Sequence, residues 1–362
     1  MAYLPQMTTR CTLVSGIAVV AAALAFLAAA AIPRALAADD AGATGLRKDV
    51  VFTDYTPLSA NSELIRRMLS PLAAAQIPAA EARTGLRLSE QPVDLARETF
   101  MLYVPQHAPE KGYGLLVFIA PWDGASLPAD WVPVLDQFGL ILVEPVESGN
   151  DQSLFGRRFP LAILAEYNVA KRYRLDPDRI YVSGFSGGSR VALRLAVAYP
   201  DIFRGAILNA GSDPIGDQVA PLPPADLFHR FQEFGHLVYV TGDRDIKNAS
   251  FDHASMRSLD SWCVFNVDSY AELSVAHDVM PPGVLTRALG LLSAPVQRDP
   301  EKLAACRNAH ETELSGQLAD VEALLARGAR DDARRKLIDI DAQFGGLAAP
   351  RSVALFDRLG GK

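Results

Sequence analysis

From about residue 98 onward the chain alternates short apolar runs with segments of helical period. Residues 98–104 alternate polar and apolar side chains, as a half-buried strand does, and Pro105 ends the run. Residues 113–120 and 139–144 are almost continuously apolar, the pattern of strands covered on both faces. Similar short runs return at 180–183, 205–209, 236–241 and, last, 269–275. Helical segments fall between most of them, at 161–173, 191–198, 227–234 and 254–263. Strands that alternate with helices predict an α/β fold with a doubly wound, mostly parallel sheet. Past Pro281 the strand pattern stops. Residues 301–327 and 331–343 read as a C-terminal helical hairpin, ended by Gly345 and Gly346 and followed by a short helix at 352–359. Residues 38–95 carry little strand signal and one helical segment, 62–69, with Ser62 as its candidate N-cap. They read as an N-terminal extension around a catalytic domain at 96–295, with 296–362 as the helical appendage.

Composition changes this picture mainly at the N-terminus. With 362 residues, 49% of them hydrophobic, there is material for one large core. Residues 11–32 are uncharged and rich in Ala, Leu and Val, Arg10 precedes them, and Ala35-Leu36-Ala37 stands just before Ala38-Asp39-Asp40. That is the form of a secretory signal peptide over 1–37, which predicts an exported, periplasmic or extracellular protein. The apolar run is long enough for an uncleaved anchor. The small-residue site and the polar stretch after it favour cleavage, leaving no stable membrane insertion. Cleavage removes two arginines and no acid, so the mature chain is more acidic than its formal charge of −7. No basic block remains to displace counterions, which argues against a nucleic-acid partner. Cys263 and Cys306 survive cleavage; in an oxidising compartment they pair, or they stay as two buried thiols.

Candidate chemistry centres on residues 179–190. A short β-prone run is followed by Gly184-Phe185-Ser186-Gly187-Gly188 and then by a helical segment. This is the order of a nucleophile elbow, in which glycines let the backbone turn sharply and the serine is left at the N-terminus of a helix. The helix dipole there favours a developing negative charge. A serine needs a base and a group that orients the base. Of the six histidines, only His277 both follows the last predicted strand and lies in a loop. Asp245 in Thr241-Gly-Asp-Arg-Asp245 is the preferred acid, with Asp243 and Asp213 as competitors. For an oxyanion hole the backbone N–H of Gly187 is one donor. Pro121 has no N–H, so Trp122 is the other, with Asp123 next. Arg157 and Arg158 read as a solvated basic pair near a helix start, in preference to a contact for an anionic substrate group. No Cys/His metal spacing, P-loop or dinucleotide motif is present, so neither a metal nor a cofactor is expected.

The block Tyr173-Arg-Leu-Asp-Pro-Asp-Arg-Ile-Tyr-Val-Ser-Gly-Phe-Ser-Gly-Gly-Ser-Arg190, continued by residues 199–207, 241–245 and the His277 loop, resembles secreted α/β-hydrolases of the polyhydroxybutyrate depolymerase and feruloyl/acetylxylan esterase type. The likeness covers about residues 98–293. It implies an α/β-hydrolase fold with Ser186 as nucleophile, Asp245 as acid and His277 as base. Two departures stand out. Ala120-Pro121-Trp122-Asp123 occupies the place of the His-Gly-Cys or His-Gly-Gly style oxyanion loop. The Thr- or Ser-rich linker and surface-binding domain of polymer depolymerases have no counterpart, so solid polyester is not the expected substrate; the Pro-rich insert at 213–224 is too short for a large lid, which points to small or chain-end esters. A secreted serine peptidase, or a non-catalytic scaffold on a hydrolase fold, are the alternatives. Residues 301–359 are the expected dimer or partner surface.

Overall fold

In the computed structural model, residues 42–296 and 298–361 are described. The signal peptide expected at 1–37 lies outside them. Eight strands form one sheet: β1 (Gly45–Val50), β2 (Phe100–Val104), β3 (Tyr113–Ile119), β4 (Leu140–Pro145), β5 (Leu175–Phe185), β6 (Gly205–Asn209), β7 (His236–Gly242) and β8 (Val267–Glu272). Their spatial order is β1-β2-β4-β3-β5-β6-β7-β8. β2 runs antiparallel to both β1 and β4, and the remaining neighbours are parallel. This is the α/β-hydrolase fold.

The order has a functional consequence. The chain leaves β3 towards β4 on one side, and then returns across β3 to lay β5 on the other. Connections from the carboxyl ends of β3 and β5 therefore diverge, and they leave a crevice where ligands bind in open α/β sheets.

Why the central strands hold is plain from their side chains. Every residue of β3 is buried. Leu115, Val117 and Ile119 join a core on one face, while Leu116, Phe118 and Ala120 join the core on the other. The helices up to residue 293 are α1 (Asn61–Met68), α2 (Pro71–Thr84), α3 (Val132–Phe138), α4 (Phe159–Arg172), α5 (Gly187–Ala198), α6 (Ala225–Phe234), α7 (Ile246–Ser261) and α8 (Pro282–Ser293), of which α3, α4, α5, α7 and α8 pack on the strands. The C-terminal hairpin is α9 (Pro300–Ala326) and α10 (Arg330–Phe344), followed by α11 (Arg351–Arg358).

The structure differs from the sequence reading near the N-terminal end, while the C-terminal helical hairpin and short helix are present. Residues 45–50, in the segment read as nearly strandless, form β1 at the sheet edge. Lys48 and Asp49 face solvent there, so backbone pairing with β2 rather than apolar alternation holds the strand. α1 starts one residue before Ser62, and Ala60 occupies its N-cap without a side-chain bond. The C-terminal helices turn their apolar positions inward: Val321, Leu337, Ile340, Phe344 and Leu355 belong to the main core. Cys263 and Cys306 form a disulfide, Cα atoms 5.9 Å apart, which ties α9 to the end of α7.

Candidate active site

The turn from β5 into α5 carries Ser186 with φ 55° and ψ −118°. A side chain at that positive φ is strained, and the strain persists because neighbours over-determine it. The Ser186 N–H donates to the Asn209 carbonyl at 2.8 Å, which pins the turn to β6. A Cβ at Gly188 would lie 1.8 Å from the Ile119 carbonyl oxygen, and one at Gly184 would lie 2.3 Å from the Gly188 backbone. The glycines thus supply close approach, while the serine itself carries the unusual backbone angles.

Two loops from the far side of the sheet reach this serine. Asp245 follows β7 and caps the N-terminus of α7, where its side chain accepts the Asn248 N–H. His277 lies in the loop after β8. The imidazole Nε2 is 3.0 Å from Ser186 Oγ, and Nδ1 is 2.6 Å from Asp245 Oδ2. An ionised carboxylate can only accept, so Nδ1–H donates to Asp245 and Nε2 is left with a lone pair facing the serine hydroxyl. Asp245 is 8% exposed. Burial pushes its carboxyl up, but hydrogen bonds from His277 and Asn248 outweigh that and hold it below the ordinary range.

The competing aspartates are engaged elsewhere. Asp213 accepts from Arg190 Nε and from Arg194 at 3.0 Å each. Asp243 is an exposed turn residue whose N–H donates to the Glu272 carbonyl. Asn248, which sequence reasoning passed over, donates its Nδ2 to both Asp245 oxygens at 2.9 Å. Its signal was its place in the first turn of a helix capped by Asp245. Phe185 lies against the imidazole with ring centroids 4.7 Å apart, and Trp122 packs on Phe185 at 6.0 Å.

Trp122, the second oxyanion donor expected from the sequence, is oriented indirectly. The Asn150 N–H donates to the Pro121 carbonyl at 2.9 Å. A planar trans peptide then turns the Trp122 N–H to the opposite edge. Among the described residues, neither this N–H nor that of Gly187 donates within the chain. Asp123 is bound into the loop, its Oδ1 accepting the Gly149 N–H at 2.9 Å. The expected basic pair is divided. Arg157 pairs with Glu98, whereas Arg158 is 3% exposed and fully internal, which corrects its reading as a solvated cation. Cys263, Cys306 and His310 lie together, but both thiols are taken up by the disulfide.

Strand order and elbow together are those of the α/β-hydrolase fold. No protein-family model matches the chain. It is similar to a poly(3-hydroxybutyrate) depolymerase of Ralstonia pickettii, 29% identical over 99 residues, which cover 24% of this chain and 20% of that protein. It is also similar to NocK of Nocardia uniformis, an esterase by name, 41% identical over 69 residues, 19% of this chain and 17% of that one. The chain therefore matches only about a fifth of the length of these relatives. Among solved structures, the LpqC poly(3-hydroxybutyrate) depolymerase of Bordetella parapertussis aligns over 58% of this chain and 88% of its own, with 16% identity and a TM-score of 0.42.

Proposed function

We propose that the protein is an exported serine hydrolase that cleaves carboxylic esters through an acyl-enzyme. The observation that carries this is the unbroken chain from a strained serine to a buried carboxylate, 3.0 Å from Oγ to Nε2 and 2.6 Å from Nδ1 to Asp245.

His277 Nε2 takes the Ser186 proton as Oγ adds to the substrate carbonyl carbon. The carbonyl oxygen becomes an oxyanion, held by the Gly187 and Trp122 N–H groups. Asp245 keeps the imidazole in the tautomer that can accept, and stabilises the imidazolium that forms. The imidazolium then protonates the departing alkoxide, leaving an ester on Ser186. A water, deprotonated by the same Nε2, adds to that ester, and collapse returns the proton to Ser186 and frees the acid.

An ester rather than a peptide reading is supported by the names of the matching relatives. Accessibility supports small or chain-end esters: the His277 side chain is 41% exposed, and the connection from β6 to α6 carries no regular element that would cover it. The Cys263–Cys306 disulfide supports an oxidising compartment, in line with the expected export.

The test is hydrolysis of p-nitrophenyl esters from acetyl to octanoyl by wild type and Ser186→Ala. Wild type is expected to turn over and to react with a fluorophosphonate. The alanine variant should fall by at least about 10⁴-fold and resist labelling. A wild type inert to both reagents sinks the reading.

A further inference from the structure

Arg158 is a buried cation that the acyl-transfer scheme does not use. It stands at the start of α4, 3% exposed, and among the described residues no carboxylate forms an ion pair with it. A charge buried without a counter-ion is unfavourable, so its surroundings must hold it for a reason. Those surroundings are three pieces of backbone and side chain around one place. Nε donates to the Ser148 carbonyl at 2.8 Å and one terminal nitrogen to the Ala120 carbonyl at 3.0 Å. The other terminal nitrogen approaches Asn150 Oδ1 at 3.4 Å.

Two of these three contacts lead to an oxyanion donor. Ala120 is two residues before Trp122, and its carbonyl carbon lies 3.4 Å from where a Cβ at Gly188 would sit. Asn150 fixes the Trp122 peptide through its own N–H on the Pro121 carbonyl. Asn150 Oδ1 also lies 1.9 Å from where a Cβ at Gly187 would sit, so this amide is packed directly on the backbone that follows the nucleophile. One guanidinium therefore joins the two peptide groups on either side of the crevice. Burial and the neighbouring Arg194 lower its pKa to about 10 against the pull of Asp123, an acid that forms no ion pair with it, and this leaves it charged at neutral pH.

Resting on the serine-hydrolase reading above, we propose that Arg158 is the positioning residue of the oxyanion hole. It fixes the Trp122 and Gly187 N–H groups through Ala120 and Asn150, and its charge adds to the field that stabilises the oxyanion.

The discriminating experiment combines Arg158→Met and Arg158→Lys with Asn150→Asp. The first removes the clamp and the charge together. The third leaves the shape nearly unchanged but places a carboxylate against Arg158, which strengthens a merely structural clamp and cancels its charge. For each, kcat and KM are measured on p-nitrophenyl acetate, together with the inhibition constant of an alkylboronic acid, whose adduct with Ser186 is a tetrahedral anion. Folding is checked by circular dichroism and Tm. In Arg158→Met, kcat should fall by about 10²- to 10³-fold with KM within about threefold, and boronate affinity should fall with kcat. Arg158→Lys should recover part of the loss. Asn150→Asp should stay folded and still lose at least about tenfold in kcat and in boronate affinity.

If Asn150→Asp keeps wild-type kcat and boronate affinity, the charge does no catalytic work and the proposal falls, even if Arg158→Met fails to fold. If wild type binds boronate and reacts with fluorophosphonate while every variant does so equally, only the role of Arg158 is overturned. If wild type reacts with neither, the hydrolase reading fails and takes this inference with it.

Discussion

Asn248 stands three residues after Asp245, in the first turn of the helix that Asp245 caps, and its amide spans both carboxylate oxygens. It aims the carboxylate at His277 while His277 holds the other end. Asp245→Asn is expected to lower kcat/KM by about 10⁴-fold, because the amide favours the wrong imidazole tautomer. Asn248→Ala should cost about tenfold, since one neutral donor shared by two oxygens is lost while the helix-capping bond remains. Asp243→Asn should stay within about twofold. Ester hydrolysis by the three purified variants checks this order, and an Asp243→Asn loss as large as that of Asp245→Asn would overturn the assignment of the acid. Ser186 and His277 could be picked out from the chain, and the aspartates narrowed to Asp245, Asp243 and Asp213, because residue type, position after a strand and order along the chain limit the choices. Asn248 and Arg158 could not. An asparagine in a helix and an arginine beside another arginine are common surface residues, and only the bonds of Asn248 and the burial of Arg158 show otherwise.

At the scale of elements, the strands with apolar side chains on both faces were legible because burial leaves its mark on every residue of them. β1 was not, because an edge strand gains most from backbone pairing, which any sequence can provide. The disulfide acts between elements. It joins the end of α7 to α9 across 43 residues of sequence. Replacing both cysteines by serine should cost about 2–4 kcal/mol, read as a lower Tm. α7 has 16 residues and the disulfide lies at the end away from Asp245, about 24 Å along the axis. Fluorophosphonate labelling of Ser186 at 25 °C should therefore stay at the wild-type rate. A labelling rate that falls together with the Tm would mean that the appendage shapes the site.

For the whole molecule, pH acts through carboxyls hidden in the core. Glu144, 1% exposed at the end of β4, is pushed up to about 8 by burial, although the Ser126 N–H bonded to it pulls the other way. Burial likewise lifts Asp252 to about 7, against the bonds it accepts from Thr241 and the Ser212 backbone. A carboxyl whose pKa is higher folded than unfolded contributes stability that is full below its unfolded value and is lost as pH rises through the folded one. Tm is therefore expected to decline between about pH 5 and 8. Glu144→Gln keeps an acceptor for Ser126 and removes the ionisation, so it should flatten that decline. Melting curves across this range check it, and an unchanged slope in the variant would sink the explanation.

Sequence alone determined the alternation of strand and helix, the elbow around Ser186 and the short set of partners for it. These rest on local chemistry: side-chain period, glycine at a sharp turn, and the capacity of each residue type. The tertiary structure alone decided which aspartate meets His277, that the two cysteines pair, that residues 301–359 fold their apolar faces into the core, and that Arg158 lies beneath the loop that carries Trp122. Each depends on distances between segments far apart in the chain, and such distances follow from the packing of the whole sheet.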